Sequence, residues 1–143
     1  MVLSLSEILR AAAGFKTKEE KIAFLRQHNS IPLRRILRYA YSPNVEWILP
    51  EGNPPYKPLP ADQQIGSEMM LLKEVRTCYL FLKGDDEWNP NVPMRKREMM
   101  FQELLEAVHP ADAELLLACK NRRLPYKELP REIIREAFPD LDI

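Results

Sequence analysis

Three groups of cations are the residues in this sequence whose types and spacing could do chemistry. Arg34, Arg35 and Arg38 form the first, and Arg95, Lys96 and Arg97 the second. The third is spread over KNRRLPYKELPREIIREAFPDL, residues 120–141, as Lys120, Arg122, Arg123, Lys127, Arg131 and Arg135. Clusters of this kind grip phosphate oxygens with little regard to base sequence and with strong salt dependence. The first two fall near expected helix N-termini, where a cation opposes the helix dipole. That placement points to a use beyond helix stability, such as a phosphate shared between side chains and free N–H groups. The third straddles an expected helix C-terminus, where cations are favourable in any case. The whole chain carries 21 Lys plus Arg against 21 Asp plus Glu, a formal net charge of zero. A polyanion would therefore be held by local clusters, not by the overall field.

Other chemistry finds no constellation to stand on. The four glycines, Gly14, Gly52, Gly66 and Gly84, build no phosphate-cradling loop. His28 and His109 have no metal-ligand partner at helical spacing, and His109, just before Pro110, reads as a capping or solvated residue. Asp85, Asp86 and Glu87 follow one another in a loop and share no face, so they read as solvation. Cys78 and Cys119 form no CxxC and sit in apolar helical patterns, as reduced, buried thiols do. Met69, Met70, Met94, Met99 and Met100 have core-compatible spacing. No catalytic residue, metal or cofactor is expected.

The elements that must position the cations are helical nearly throughout. Ser4-x-x-Glu7 is a capping box opening a helix that stops at Gly14, and Thr17-x-x-Glu20 opens a second that runs to about His28. Pro32 suits the first turn of a third, with Leu33, Ile36, Leu37, Ala40 and Tyr41 as its core stripe and the three arginines on the other side. Six prolines then punctuate residues 43–60, with Val45 to Leu49 briefly extended and a Pro-rich loop over about 43–65 packing across the helices. Leu71, Leu72, Val75, Cys78, Tyr79 and Leu82 predict one long helix from about Ser67 to Lys83. Further helices are expected over about 93–108, from Pro110 to about Lys120, and from Pro130 to Pro139.

The expectation is an all-α fold, a compact bundle of about seven short helices with a Pro-rich central loop and no convincing sheet. At 143 residues, with 45% hydrophobic and 29% charged residues, 1–143 reads as a single soluble domain. The N-terminus lacks a signal-peptide pattern and no window is apolar enough to span a membrane, so a cytoplasmic location is expected.

In order and spacing, the chain also resembles the N-terminal domain of bacteriophage-type ATP-dependent DNA ligases. The opening LSEILRAAAGFKTKEEKIAFLRQHNSIPLRRILRYAYSPNVEWIL carries the likeness in Leu33 to Ser42 and in the aromatic Trp47. Towards the C-terminus it lies in Leu115 to Leu117, the turn Asn121 to Leu124, and Ile133, Ile134, Ala137, Phe138, Pro139, Asp140 and Leu141. The sequence departs from that pattern at three points. Pro125-Tyr126-Lys127 replaces a glycine-containing turn, Arg123 replaces an acid, and Asp140 replaces the glycine after the final proline. The chain holds no KxDG nucleotidyl-transfer motif; KGDD, residues 83–86, has the lysine and the aspartate but no glycine after them.

What the resemblance implies is a non-catalytic, DNA-binding module, phage-encoded and acting in the host cytoplasm. It would grip duplex or nicked DNA by its phosphate backbone through Arg34, Arg35, Arg38, Arg122, Arg123 and Lys127, with Lys120 and Arg95 to Arg97 as weaker candidates. The alternative is a protein-interaction adaptor, or a phage structural or replication accessory protein, using the 43–65 loop with Tyr56 and Trp47 as its contact surface.

Overall fold

A computed structural model describes residues 3–143. Among these residues the chain folds as seven α-helices with one two-stranded antiparallel ribbon. The helices are α1 (Leu5–Gly14), α2 (Lys18–Gln27), α3 (Ile31–Tyr41), α4 (Met70–Glu74), α5 (Met94–Ala107), α6 (Pro110–Lys120) and α7 (Arg131–Ala137). Local sequence sets most of these boundaries. The Ser4–Glu7 capping box closes in both directions, and Thr17 and Ser30 each accept a main-chain N–H at the start of their helices. His109 caps α6 through Nδ1, which accepts the Ala111 N–H at 3.1 Å. Pro130 precedes α7, and the helix ends before Phe138.

The helices pack in pairs, α1 on α2, α2 on α7, α3 on α6 and α5 on α6. Leu9, Leu25, Leu33, Leu37, Leu105, Leu116 and Ile134 close the centre with no exposure. Both thiols belong to this core, and burial pushes the Cys78 thiol up to about 12. Asp112 is also fully buried. One of its oxygens accepts the Ser6 N–H at 3.2 Å and so joins the first turns of α1 and α6. Its other oxygen has no partner among the described residues, and burial raises its pKa.

One expected helix is not continuous. Instead of a single helix over 67–83, the chain makes a 3-10 turn at Ser67–Met69, the short α4, a 3-10 segment at Val75–Phe81, and a strand β2 at Leu82–Lys83. The apolar positions explain the tightening. Val75, Cys78 and Phe81 recur every third residue and are all buried, and that spacing eclipses on a 3-10 helix, not on an α-helix. The Thr77 hydroxyl donates to the Glu74 carbonyl at 2.7 Å, a local bond that competes with the α-helical ladder. β2 pairs with β1 (Glu46–Trp47), Trp47 opposite Leu82, so a small sheet exists where none was expected. Gly84 ends the ribbon at φ +98°. A Cβ there would lie 2.2 Å from the Asn44 carbonyl oxygen, so the position requires glycine.

The Pro-rich segment lies across the bundle as a strap. The Ile48 N–H donates to Phe81 O at 3.0 Å, the Lys57 N–H to the Glu106 carboxylate at 2.8 Å, and Lys120 Nζ to Pro50 O at 2.8 Å. Trp47 enters an aromatic cluster with Tyr39, Phe81 and Phe101, its ring near-parallel to Phe81 at 6.4 Å between centroids.

Candidate nucleic-acid interface

The six cations singled out in the sequence fall into two sets. Four occur on or against α3, and three of those four are engaged. Arg34 pairs with Asp140 at 2.7 Å and places its guanidinium 5.5 Å over the Phe138 ring. Arg38 bridges Asp85 at 3.3 Å and Asp142 at 3.5 Å. Asp142 also accepts from the Ser42 hydroxyl at 2.6 Å and the Asn44 amide at 2.8 Å; these donors, Ser42 first, hold its carboxyl below the usual range. The Arg35 side chain makes no ion pair or hydrogen bond among the described residues. It lines a small cleft with Arg38 and Arg76 that also contains Asp85, Asp86 and Glu87, so three cations face three acids.

Arg122 is the third engaged residue. α6 ends in a Schellman motif in which the Arg123 N–H donates to Ala118 O at 2.9 Å and the Arg122 N–H to Cys119 O at 3.1 Å. That motif requires a left-handed residue, and Arg122 supplies it at φ +59° where glycine is the usual choice. The reason lies in the side chain. Its guanidinium donates to Tyr39 O at 3.0 Å and to Ser42 O, capping the open carbonyls at the end of α3. Tyr39 O also accepts the Trp47 indole N–H at 2.9 Å. The glycine missing from the turn is thus replaced by an arginine that ties two helix ends together.

Arg123 and Lys127 form the second set. Both are exposed, and neither side chain makes an ion pair or hydrogen bond among the described residues. Arg123 lines a groove of about 630 Å³ between the strap and the end of α6, with Trp47, Leu49, Glu51, Gly52, Lys120 and Asn121. Lys127 sits one residue beyond Tyr126, whose hydroxyl is pushed up by burial. The turn therefore presents two free cations beside an engaged one.

The weaker candidates divide the same way. Arg97 is 2% exposed and has no carboxylate partner among the described residues. It donates to the carbonyls of Val92, Leu80 and Asn89, and Trp88 covers its guanidinium at 4.1 Å. Lys120 is buried and holds Pro50 and Asn121. Arg95 and Lys96, on the first turn of α5, are exposed and their side chains are free of such bonds. The spacing of the core stripe carries the signal for Arg97. It stands four, seven, eight and eleven residues before Phe101, Leu104, Leu105 and Val108, all of them buried.

Residues 8–126 match a family described as a family of unknown function (DUF6433). The chain belongs to that family. Among curated proteins no sequence match was found. The matched span runs from within α1 to Tyr126, in the turn after α6. No three His, Cys, Asp or Glu side chains cluster as metal ligands among the described residues. No helix there is long and apolar enough to cross a membrane.

Proposed function

We propose that this DUF6433 protein is a non-catalytic module that holds the phosphate backbone of duplex or nicked DNA, with the α6–α7 turn as its grip. One observation carries the reading: Arg122 is locked into the fold, while Arg123 and Lys127 beside it are exposed and unpaired. The resemblance to the ligase N-terminal domain supports the choice of DNA as the ligand and of this turn as the grip. Arg123 and Lys127 are the primary contacts in this reading, with Arg35 behind them. Arg34, Arg38 and Arg122 serve by holding α3, the strap side and the C-terminal tail in place. Exposed cations on a flexible stem reach phosphates at little cost in structure, whereas an engaged arginine would first have to leave its carbonyls or carboxylates.

Fluorescence anisotropy of labelled nicked and intact duplexes tests this. Binding should be tight near 50 mM salt and weaken steeply by about 200 mM, as counterion release requires. Replacing Arg123 and Lys127 together by Gln should reduce both the affinity and the salt slope. Absence of binding by the wild-type chain at low salt would overturn the reading.

A protein partner on the strap is the second reading. It draws on Ile65, 94% exposed at the far end of the strap, and on the groove of Leu49, Pro54, Pro55 and Phe101 beneath it. A pull-down that survives Arg123 and Lys127 reversal but fails on Ile65→Ser would favour it.

A further inference from the structure

A second groove, also about 630 Å³, is lined by the later residues of the same turn. Arg10, Ala13, Gly14, Phe15, Lys16 and Lys21 line it from the α1–α2 corner, and Tyr126 and Glu128 from the turn. Its cations come from places in the sequence far from the three clusters, and the fold alone brings them beside Lys127. Lys21 is spent: its ammonium donates to the Glu128 main-chain carbonyl and so fastens the turn to α2. Arg10 and Lys16 are exposed, and their side chains make no ion pair or hydrogen bond among the described residues. Against these three cations the groove holds one carboxylate, Glu128.

We infer that this groove is a second backbone-phosphate contact, with Arg10 and Lys16 as its free cations, so that a nucleic-acid strand laid over the turn is held on both sides of Lys127. The inference rests on the DNA-binding reading above and extends it to residues outside the basic clusters. Charge balance selects this groove over the cleft at Arg35. There three arginines meet three acids and cancel, whereas here the excess is two positive charges. Continuity selects it as well. Lys127 stands between Tyr126 and Glu128, both of which line the groove, while Arg123 lines the groove on the strap side. Duplex DNA carries a negative charge for about every 1.7 Å of axis, so a footprint that covers the turn meets several phosphates.

The test is the salt dependence of binding to a nicked duplex for the full chain. Arg10→Gln with Lys16→Gln should weaken binding at low salt and lower the slope of log affinity against log salt, by about 0.9 for each phosphate that is no longer neutralised. Lys73→Gln, an exposed lysine on α4 outside both grooves, should leave the slope unchanged. Glu128→Gln should tighten binding, because it removes the one opposing charge. Melting midpoints should match the wild type throughout, since none of the replaced side chains holds the fold. A wild-type slope in the Arg10/Lys16 variant, with a reduced slope in the Arg123/Lys127 variant, would overturn this inference and leave the DNA reading standing. No binding by the wild-type chain would remove both. Displacement of the duplex by polyglutamate at equal charge concentration would overturn it in favour of an acidic protein partner.

Discussion

The loop from Gly84 to Pro93, between β2 and α5, and the turn from Asn121 to Leu129, between α6 and α7, are both short connections, and each depends on an arginine. They use it in opposite ways. In the first, Arg97 lies inside, its charge spread over three carbonyls and an indole, and the loop wraps around it. In the second, Arg122 reaches out of a left-handed backbone position to the end of α3, and its neighbours Arg123 and Lys127 stay in solvent. A loop that folds around its cation has none left to offer a ligand. A turn that spends one cation on structure and keeps two can be rigid and sticky together. Helix register makes the difference. Arg97 occupies the core stripe of α5, whereas Arg122 and Arg123 lie just past the end of α6.

The comparison breaks most visibly at Arg97. Arg97→Ala leaves three carbonyls without their donor and opens a cavity under Trp88, and should cost about 4 kcal/mol in urea unfolding. A loss below about 1 kcal/mol would mean that the 84–93 loop does not depend on its buried cation.

Arg122 comes next and separates side chain from backbone. Arg122→Ala loses the cap on α3 yet keeps a strained backbone, and should cost about 2 kcal/mol. Arg122→Gly loses the same cap but relieves the positive φ, so it should recover about 1 kcal/mol relative to Ala. Equal melting midpoints for the two variants would show that the left-handed conformation carries no strain.

Arg38 links the first region to the C-terminal tail through Asp85 and Asp142, and pH probes that link. The Asp142 carboxyl is held below its ordinary range, so the stability it gives is complete above that range. It is lost as pH falls through the folded value. Asp142→Asn should be less stable than wild type by about 1 kcal/mol near pH 7, a modest figure because the pair is partly exposed. The gap should shrink below about pH 4. A gap that stays constant into acid would remove the charged clasp from the account.

The smallest stability effect belongs to the free cations. Arg123→Gln with Lys127→Gln should change unfolding free energy by less than about 0.5 kcal/mol. The same variant should lose DNA affinity, which is the contrast with Arg97 in its sharpest form.

Much of this fold is legible in the sequence because its signals are local. Capping boxes at Ser4 and Thr17, Pro32 near the start of α3, and the apolar stripe of α3 each act within a few residues, and each stands where the spacing puts it. Over 67–83 the spacing misleads, because apolar residues at threes and fours serve α and 3-10 helices alike until packing decides between them. Half of the ribbon is legible, since β1 lies within the extended Val45 to Leu49; β2 leaves no trace because its two residues are too few for any alternation to register. For the cations, the sequence tells where positive charge lies but not what it touches. Arg122 meets carbonyls 83 and 80 positions away in the chain. Arg10 and Lys16 gain meaning only when the fold sets them beside Tyr126.

The two tryptophans fall one to each regime. Trp88 lies over the Arg97 guanidinium, and Trp47 donates to the carbonyl that Arg122 also caps. The protein thus carries two optical reporters on two separable events. Opening of the 84–93 loop would strip the cation from one indole and shift its emission, while the other kept the signal of an intact aromatic core. Single-tryptophan variants, Trp47→Phe and Trp88→Phe, would resolve whether the loop yields before the bundle or with it.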